Sequence, residues 1–229
     1  MKKNLLLLAV SISSFYFSQN IKAITDDGQE VVLLADKTWK FVNESDEKAL
    51  KTLNENPDVF NKNKSATFLV KSKRLNVGVY INPSKWSFKN ATETALEYTF
   101  IQKDGNGYAL SSANKSDIAN YTIYKDIILN SLSKVAAFYR FIESDIRTVN
   151  GKKILYVRYK ANVDNLDMEF VGYYFISDKG VTQLVCYSSE KRFEEFLPGF
   201  MELLNGFVET EEKESKFTSP PPPMTKPKN

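Results

Sequence analysis

Phe138-Tyr139-Arg140-Phe141-Ile142-Glu143-Ser144-Asp145-Ile146-Arg147-Thr148-Val149-Asn150-Gly151-Lys152-Lys153-Ile154-Leu155-Tyr156-Val157-Arg158-Tyr159-Lys160-Ala161-Asn162-Val163 is the run that decides the fold. Asn150-Gly151 tolerates the positive φ angles of a type I′ turn, so 137–149 and 152–163 read as two antiparallel strands of one hairpin. Over 153–160, basic or polar residues alternate with aliphatic and aromatic ones on the period of a strand. A second hairpin follows, 169–176 and 181–187, turning at Asp178-Lys179-Gly180. Tight connections in a row build an antiparallel meander.

Downstream of the meander the period changes to that of a helix. Phe193, Phe196, Leu197, Phe200, Leu203, Leu204 and Phe207 recur at spacings of three and four and make one apolar face. A face this aromatic has to cover a sheet. Pro198 interrupts it, so the helix either kinks there or begins near it. Upstream, 66–70, 77–81, 86–88 and 95–102 are strand-like, punctuated by Asn82-Pro83 and Asp104-Gly105-Asn106-Gly107. Ser116-Asp117 then caps a helix to about Leu132, with Ile118, Tyr121, Ile128 and Leu132 on one face. The expected fold class is α+β: an antiparallel β-sheet covered by amphipathic helices, forming a core domain over 66–208.

The flanks differ in composition. Two short apolar runs, Val31 to Leu34 and Thr38 to Val42, suggest a small N-terminal β-hairpin, followed by a short helix capped by Ser45; together they fill 24–55. Residues 56–65, rich in asparagine and lysine, read as a linker. The segment 209–229 is nearly all charge and then proline, with Pro220-Pro221-Pro222-Pro223 in sequence, and reads as a disordered tail. At the other end, Lys2 and Lys3 precede an apolar run from Leu5 that closes at Ser18-Gln19. Residues 1–18 read as a bacterial signal peptide, cut after Ser18 or, as the second choice, after Ala23. The run is too short and too interrupted by serine for a comfortable membrane span, so no stable insertion is expected after cleavage, and the protein is expected in the periplasm or outside the cell.

Composition excludes much chemistry. The sequence has no histidine and one cysteine, Cys186, which sits in a strand-like run and reads as a small buried hydrophobe. The formal charge is +3, and losing Lys2 and Lys3 with the leader leaves +1, which gives no electrostatic footprint for nucleic acid. Neither a metal nor an organic cofactor is expected, and a monomer is the expected state. Asp104-Gly105-Asn106-Gly107-Tyr108 has the start of a calcium loop but lacks the later ligands, and reads as a turn. Trp39 and Trp86 are the candidate ligand contacts, each able to stack on a sugar or a peptide. A hydrolase acting on cell-surface glycan would need two of Asp164, Asp167, Glu169, Glu194 and Glu195 to face one cleft.

Two resemblances follow from these residues. Asp27-Gly28-Gln29-Glu30-Val31-Val32-Leu33-Leu34 with Asp36-Lys37-Thr38-Trp39-Lys40-Phe41 resembles the "DG…TW" segment of exported Bacteroidetes proteins, with Lys37 where a turn glycine is usual. The order strands, helix, hairpin, hairpin, closing helix over 66–208 is similar to the PsbP-like α/β/α sandwich. That likeness implies a non-catalytic accessory or binding protein, with an unidentified protein or envelope component as partner, and carries no functional residue across.

Overall fold

The computed structural model describes residues 21–25, 30–34, 38–42, 52–103 and 105–211. In chain order the strands are β1 (Ile21–Ile24), β2 (Glu30–Leu33), β3 (Trp39–Phe41), β4 (Asn54–Phe60), β5 (Phe68–Lys71), β6 (Val77–Ile81) and β7 (Trp86–Asn90). They continue with β8 (Tyr98–Gln102), β9 (Tyr108–Asn114), β10 (Phe138–Val149), β11 (Lys152–Val163), β12 (Leu166–Ser177), β13 (Gly180–Ser189) and β14 (Phe207–Glu209). The described helices are α1 (Tyr121–Val135) and α2 (Phe193–Leu204), the latter preceded by a 3-10 turn, Glu190–Arg192.

Two-residue turns set the centre. Asn150 and Gly151 take φ of 47° and 79°, and Asp164 and Asn165 take 53° and 63°, the left-handed pairs that a type I′ turn requires. The meander β10-β11-β12-β13 extends through β9, β8 and β7 on one side and β4 on the other, giving an eight-stranded sheet in the order β4-β10-β11-β12-β13-β9-β8-β7.

Both faces of the central strands are apolar over most of their length. On β11, Ile154 and Tyr156 point to one face, and Leu155, Val157, Tyr159 and Ala161 to the other; all are buried. A sheet of this kind must be covered twice. α2 and the three-stranded sheet β14-β6-β5 cover the first face through Phe193, Phe196, Phe200, Leu203 and Leu204. α1 covers part of the second through Tyr124, Ile128 and Leu132.

Several expectations change. The linker over 56–65 is in part a strand: β4 pairs parallel with β10, which makes the large sheet mixed rather than antiparallel. Its polar sequence misled because it is an edge strand. Pro57 lies where the register jumps between Ile146 and Thr148, so its missing N–H costs no ladder bond. Asn56 there donates to Asp145 at 2.8 Å.

Strands β5 and β6 belong to a second sheet, with β14. Strand β9 had no counterpart in the sequence reading, and the strand expected over 95–102 begins at Tyr98. α1 starts later than expected because Asn120 is its cap, its side chain accepting from Ile123 N at 3.0 Å. α2 begins at Phe193 and keeps Pro198 inside it, so it does not start at the proline. Phe207 lies beyond the helix in β14, although it is still buried, 5.3 Å from Phe175.

The N-terminal hairpin is a three-stranded meander, β1-β2-β3, and β1 runs through Ala23. Glu209, expected in the tail, ends β14. The leader over 1–18, most of the Ser45 helix and residues 212–229 lie outside the described residues.

Phe200 is fully buried between Trp86, Phe193 and Phe196. Phe200→Ala should lower the unfolding free energy by about 3–5 kcal/mol, measured by urea denaturation. Phe68→Ala, whose ring is 48% exposed, should change it far less.

Candidate functional site

The second face of the large sheet is only half covered. α1 lies over β10 and β11, while β12, β13 and β9 continue beyond it, leaving a groove of about 460 Å³. Ile118, Ile127 and Ser131 form its wall on the helix side, and Phe170, Val185, Tyr187 and Leu110 its floor.

Across that face runs a strip of stacked rings, one from each of five neighbouring strands. Phe141 stacks on Tyr159 at 5.8 Å, Tyr159 on Phe170 at 4.8 Å, Phe170 on Tyr187 at 5.7 Å and Tyr187 on Tyr108 at 5.6 Å, with interplanar angles of 9–28°. Each pair is in direct register across its ladder. Phe141 and Tyr159 are buried, whereas Phe170 and Tyr187 are half-buried on the groove floor and Tyr108 is half-buried at the end of the strip.

Within the strip Phe170 and Tyr187 each have a neighbouring ring on both faces, so what remains half-exposed of them is edge. With both faces taken by neighbouring rings, these side chains cannot stack face-on against a sugar ring. Asn114, Ser116 and Gln183 add hydrogen-bonding groups beside this apolar floor. Burial pushes the Tyr159 phenol up to about 12, with its bond to Tyr174 opposing this, and burial also raises Tyr187.

On the first face, beyond the reach of β14-β6-β5, lies a second concavity of about 850 Å³. It is lined with both signs of charge: Arg140, Arg158, Lys160 and Lys191 against Asp167, Glu169, Glu190 and Glu194. Glu169 is 3% exposed and accepts from Arg158 Nε at 2.7 Å, and Arg158 Nη2 also contacts the Glu194 carboxylate. Lys160 Nζ reaches Glu190 at 2.7 Å. Burial raises the Glu169 carboxyl above its ordinary value, against the pull of Arg158 and Lys160.

The sequence-stated candidates separate accordingly. Trp86 is 2% exposed and packs on Phe200, so it is a core residue and not a ligand contact. Burying a large ring beneath α2 outweighs exposing it. Trp39 is 52% exposed on β3, edge-on to Phe41 at 5.2 Å. Of the acids, Glu169 and Glu194 converge on one guanidinium, while Asp167 accepts from Asn162 at 2.6 Å. Glu195 pairs with Arg192 and Asp164 occupies a turn. Cys186 is fully buried, and burial raises its thiol well above the usual range.

The sequence reading missed the ring strip, although the two-residue turns align Tyr159 with Phe170 and Phe170 with Tyr187 by counting alone. The described residues contain no group of three or more side chains arranged to hold a metal ion, and no helix long and apolar enough to cross a membrane.

No family model matches the chain. No curated protein matches it either. Among solved structures, it is similar to the cyanobacterial PsbP (CyanoP) of Synechocystis sp. PCC 6803, with a TM-score of 0.48 at 10% identity over 64% of this chain and 94% of that one. It is similar to LpqN of Mycobacterium tuberculosis, described as involved in cell envelope biogenesis, with a TM-score of 0.45 at 10% identity over 63% and 90%. A protein of unknown function from Pseudomonas aeruginosa gives a TM-score of 0.44 at 9% identity over 63% and 98%. None of these likenesses carries an argument about this chain's ligand or activity.

Tyr159 and Tyr173 both titrate near 12, burial being the main cause. Above about pH 10 the unfolded chain loses these protons while the folded chain keeps them. Stability should therefore fall as pH rises from about 10 to 12, and Tyr159→Phe should flatten that fall in urea midpoints measured across the window.

Proposed function

We propose that the chain is an exported, non-catalytic binding or accessory protein of PsbP-like type. Its ligand, on this reading, is an extended peptide segment of another protein or envelope component, received in the groove beside α1. The observation that carries this is the ring strip: two half-buried aromatic side chains, Phe170 and Tyr187, aligned on neighbouring strands on the floor of an open groove, with Tyr108 stacked beside them. Rings that only filled a core would be buried, as Phe141 and Tyr159 are. Trp39, exposed on the N-terminal sheet, is retained as an accessory contact. Export rests on the leader-like sequence of residues 1–18, and no cofactor or oligomer is invoked.

A second reading is favoured by one observation, the meeting of Glu169 and Glu194 at Arg158 in the charged concavity. A retaining glycosidase likewise needs two carboxylates facing one cleft. Here, however, the guanidinium fills the space between them, where the scissile bond would have to lie.

Calorimetric titration with synthetic proline-bearing peptides should give saturable binding. Tyr187→Ala and Phe170→Ala should each weaken it tenfold or more, equivalent to about 1.4 kcal/mol. Glu194→Gln should leave it unchanged. Glycan turnover that disappears in Glu194→Gln, with no peptide binding, would reverse the ranking.

A further inference from the structure

We propose that the corner where β5 and β7 meet is a second surface, independent of the groove, which docks reversibly on a bilayer bearing anionic lipid. Phe68 and Phe88 enter the interface, while Lys71, Lys73 and Lys89 meet the headgroup phosphates.

The corner joins two sheet ends. β5 is the last strand of the three-stranded sheet and β7 the last of the eight-stranded one. They touch through their rings: Phe68 lies 5.8 Å from Phe88, and Phe88 lies 5.8 Å from Tyr98. Phe68 is 48% exposed and Phe88 39%, yet Phe88 also rests on the buried Phe100, so packing holds the rings in place. Lys73 crosses the same corner, its Nζ 5.0 Å over the Tyr98 ring and donating to Asn90 Oδ1 at 2.7 Å. The Tyr98 hydroxyl donates to Lys71 O at 2.9 Å, which ties the end of β5 to β8. Rings and ammonium groups thus form one patch.

Charge is concentrated there. Residues 61–103 carry eight lysines and arginines against two acids, a formal excess of +6 in a chain whose total is +3. Glu97 is 4% exposed and its carboxylate accepts from Ser72 Oγ at 3.0 Å and Lys73 N at 2.7 Å. Glu93, the other acid, lies within electrostatic reach of Tyr187 on the groove side. Among the described residues no carboxylate pairs with Lys71, Lys73 or Lys89, all of them exposed. Arg74, next to Lys73, is held by neutral oxygens of Thr94, Ala113 and Asn114 and keeps its charge unmatched.

Lysines on edge strands also serve to keep foreign strands from adding. That role is met equally well beside polar neighbours, whereas two large exposed rings gain only where something covers them. A lipid surface supplies both halves of the match. Its anionic headgroups lie level with the ammonium groups, and the acyl boundary just beneath them accepts apolar rings. A soluble polyanion offers the first and nothing for the second. The contact is peripheral, since none of the described helices is long and apolar enough to cross a membrane.

The test uses the chain from Gln19 onward, because the apolar run of residues 1–18 would itself bind any bilayer. Co-sedimentation should show binding to vesicles of mixed phosphatidylglycerol and phosphatidylcholine, little to phosphatidylcholine alone, and a decline as salt rises. Lys71→Gln with Lys89→Gln should weaken binding about tenfold or more. Phe68→Ala should weaken it severalfold, with urea midpoints confirming that each variant folds. Phe68→Trp should add emission that acyl chains bearing bromine quench, beyond any quenching of Trp39 and Trp86 in the parent chain. Equal binding to neutral and anionic vesicles, or none to either, would overturn the proposal. So would anionic binding that the lysine variant loses but Phe68→Ala keeps, with no added quenching and full competition by dextran sulfate, which would mark a soluble polyanion instead. Peptide titration of the groove is unaffected by any of these results.

Discussion

Over most of their length the central strands of the meander bury apolar side chains on both faces, and the rest of the structure follows from that constraint. Tyr156 and Tyr173 point one way and Leu155 and Tyr174 the other, all of them buried. Neither side can be left to water, because each buried aromatic removes a large apolar area from solvent. One face takes α2 and a second sheet, and the other takes α1. The two layers are unequal: α1 is one helix over a sheet eight strands wide, and the uncovered remainder of its face is the groove.

Asn150 joins the pieces that cover the sheet. Its left-handed φ closes the β10–β11 hairpin, and its side-chain amide donates to Asn205 O at 2.8 Å and Phe207 O at 2.7 Å, fastening β14. Its backbone N donates to Phe60 O at 2.9 Å, and its side-chain oxygen accepts from Lys62 N at 2.9 Å, fastening the end of β4. A residue legible in the sequence as a turn former is therefore also the point where three distant segments meet. The buried Arg147 nearby follows similar logic: its guanidinium stacks 3.3 Å over the Tyr156 ring and its Nε donates to Asp145 at 2.8 Å. A charge in that position is kept by pairing and stacking together.

The two concavities differ in kind. In the charged one, Arg158 and Lys160 each meet carboxylates already. A ligand there would have to displace ion pairs. The aromatic groove exposes ring edges whose faces are engaged by one another, and it gains simply by being covered. That contrast, more than the size of either space, is what favours the groove in the proposed binding role.

Local pattern determined what neighbours in sequence control. The I′ turn at Asn150-Gly151, the hairpin partners and the buried face of α2 were all readable, because turn chemistry and periodicity act within a few residues. Counting from the turns also gives three of the five rings in the strip. Tertiary structure alone decided the rest. Tyr108 joins the strip only because β9 pairs with β13, far along the chain. Pro57 and its polar neighbours form a strand only because β10 offers a parallel edge. Glu194 meets Glu169 only because α2 folds back over β12. Each depends on partners dozens of residues away, brought together by the need to bury both faces of one sheet, and no local pattern records that.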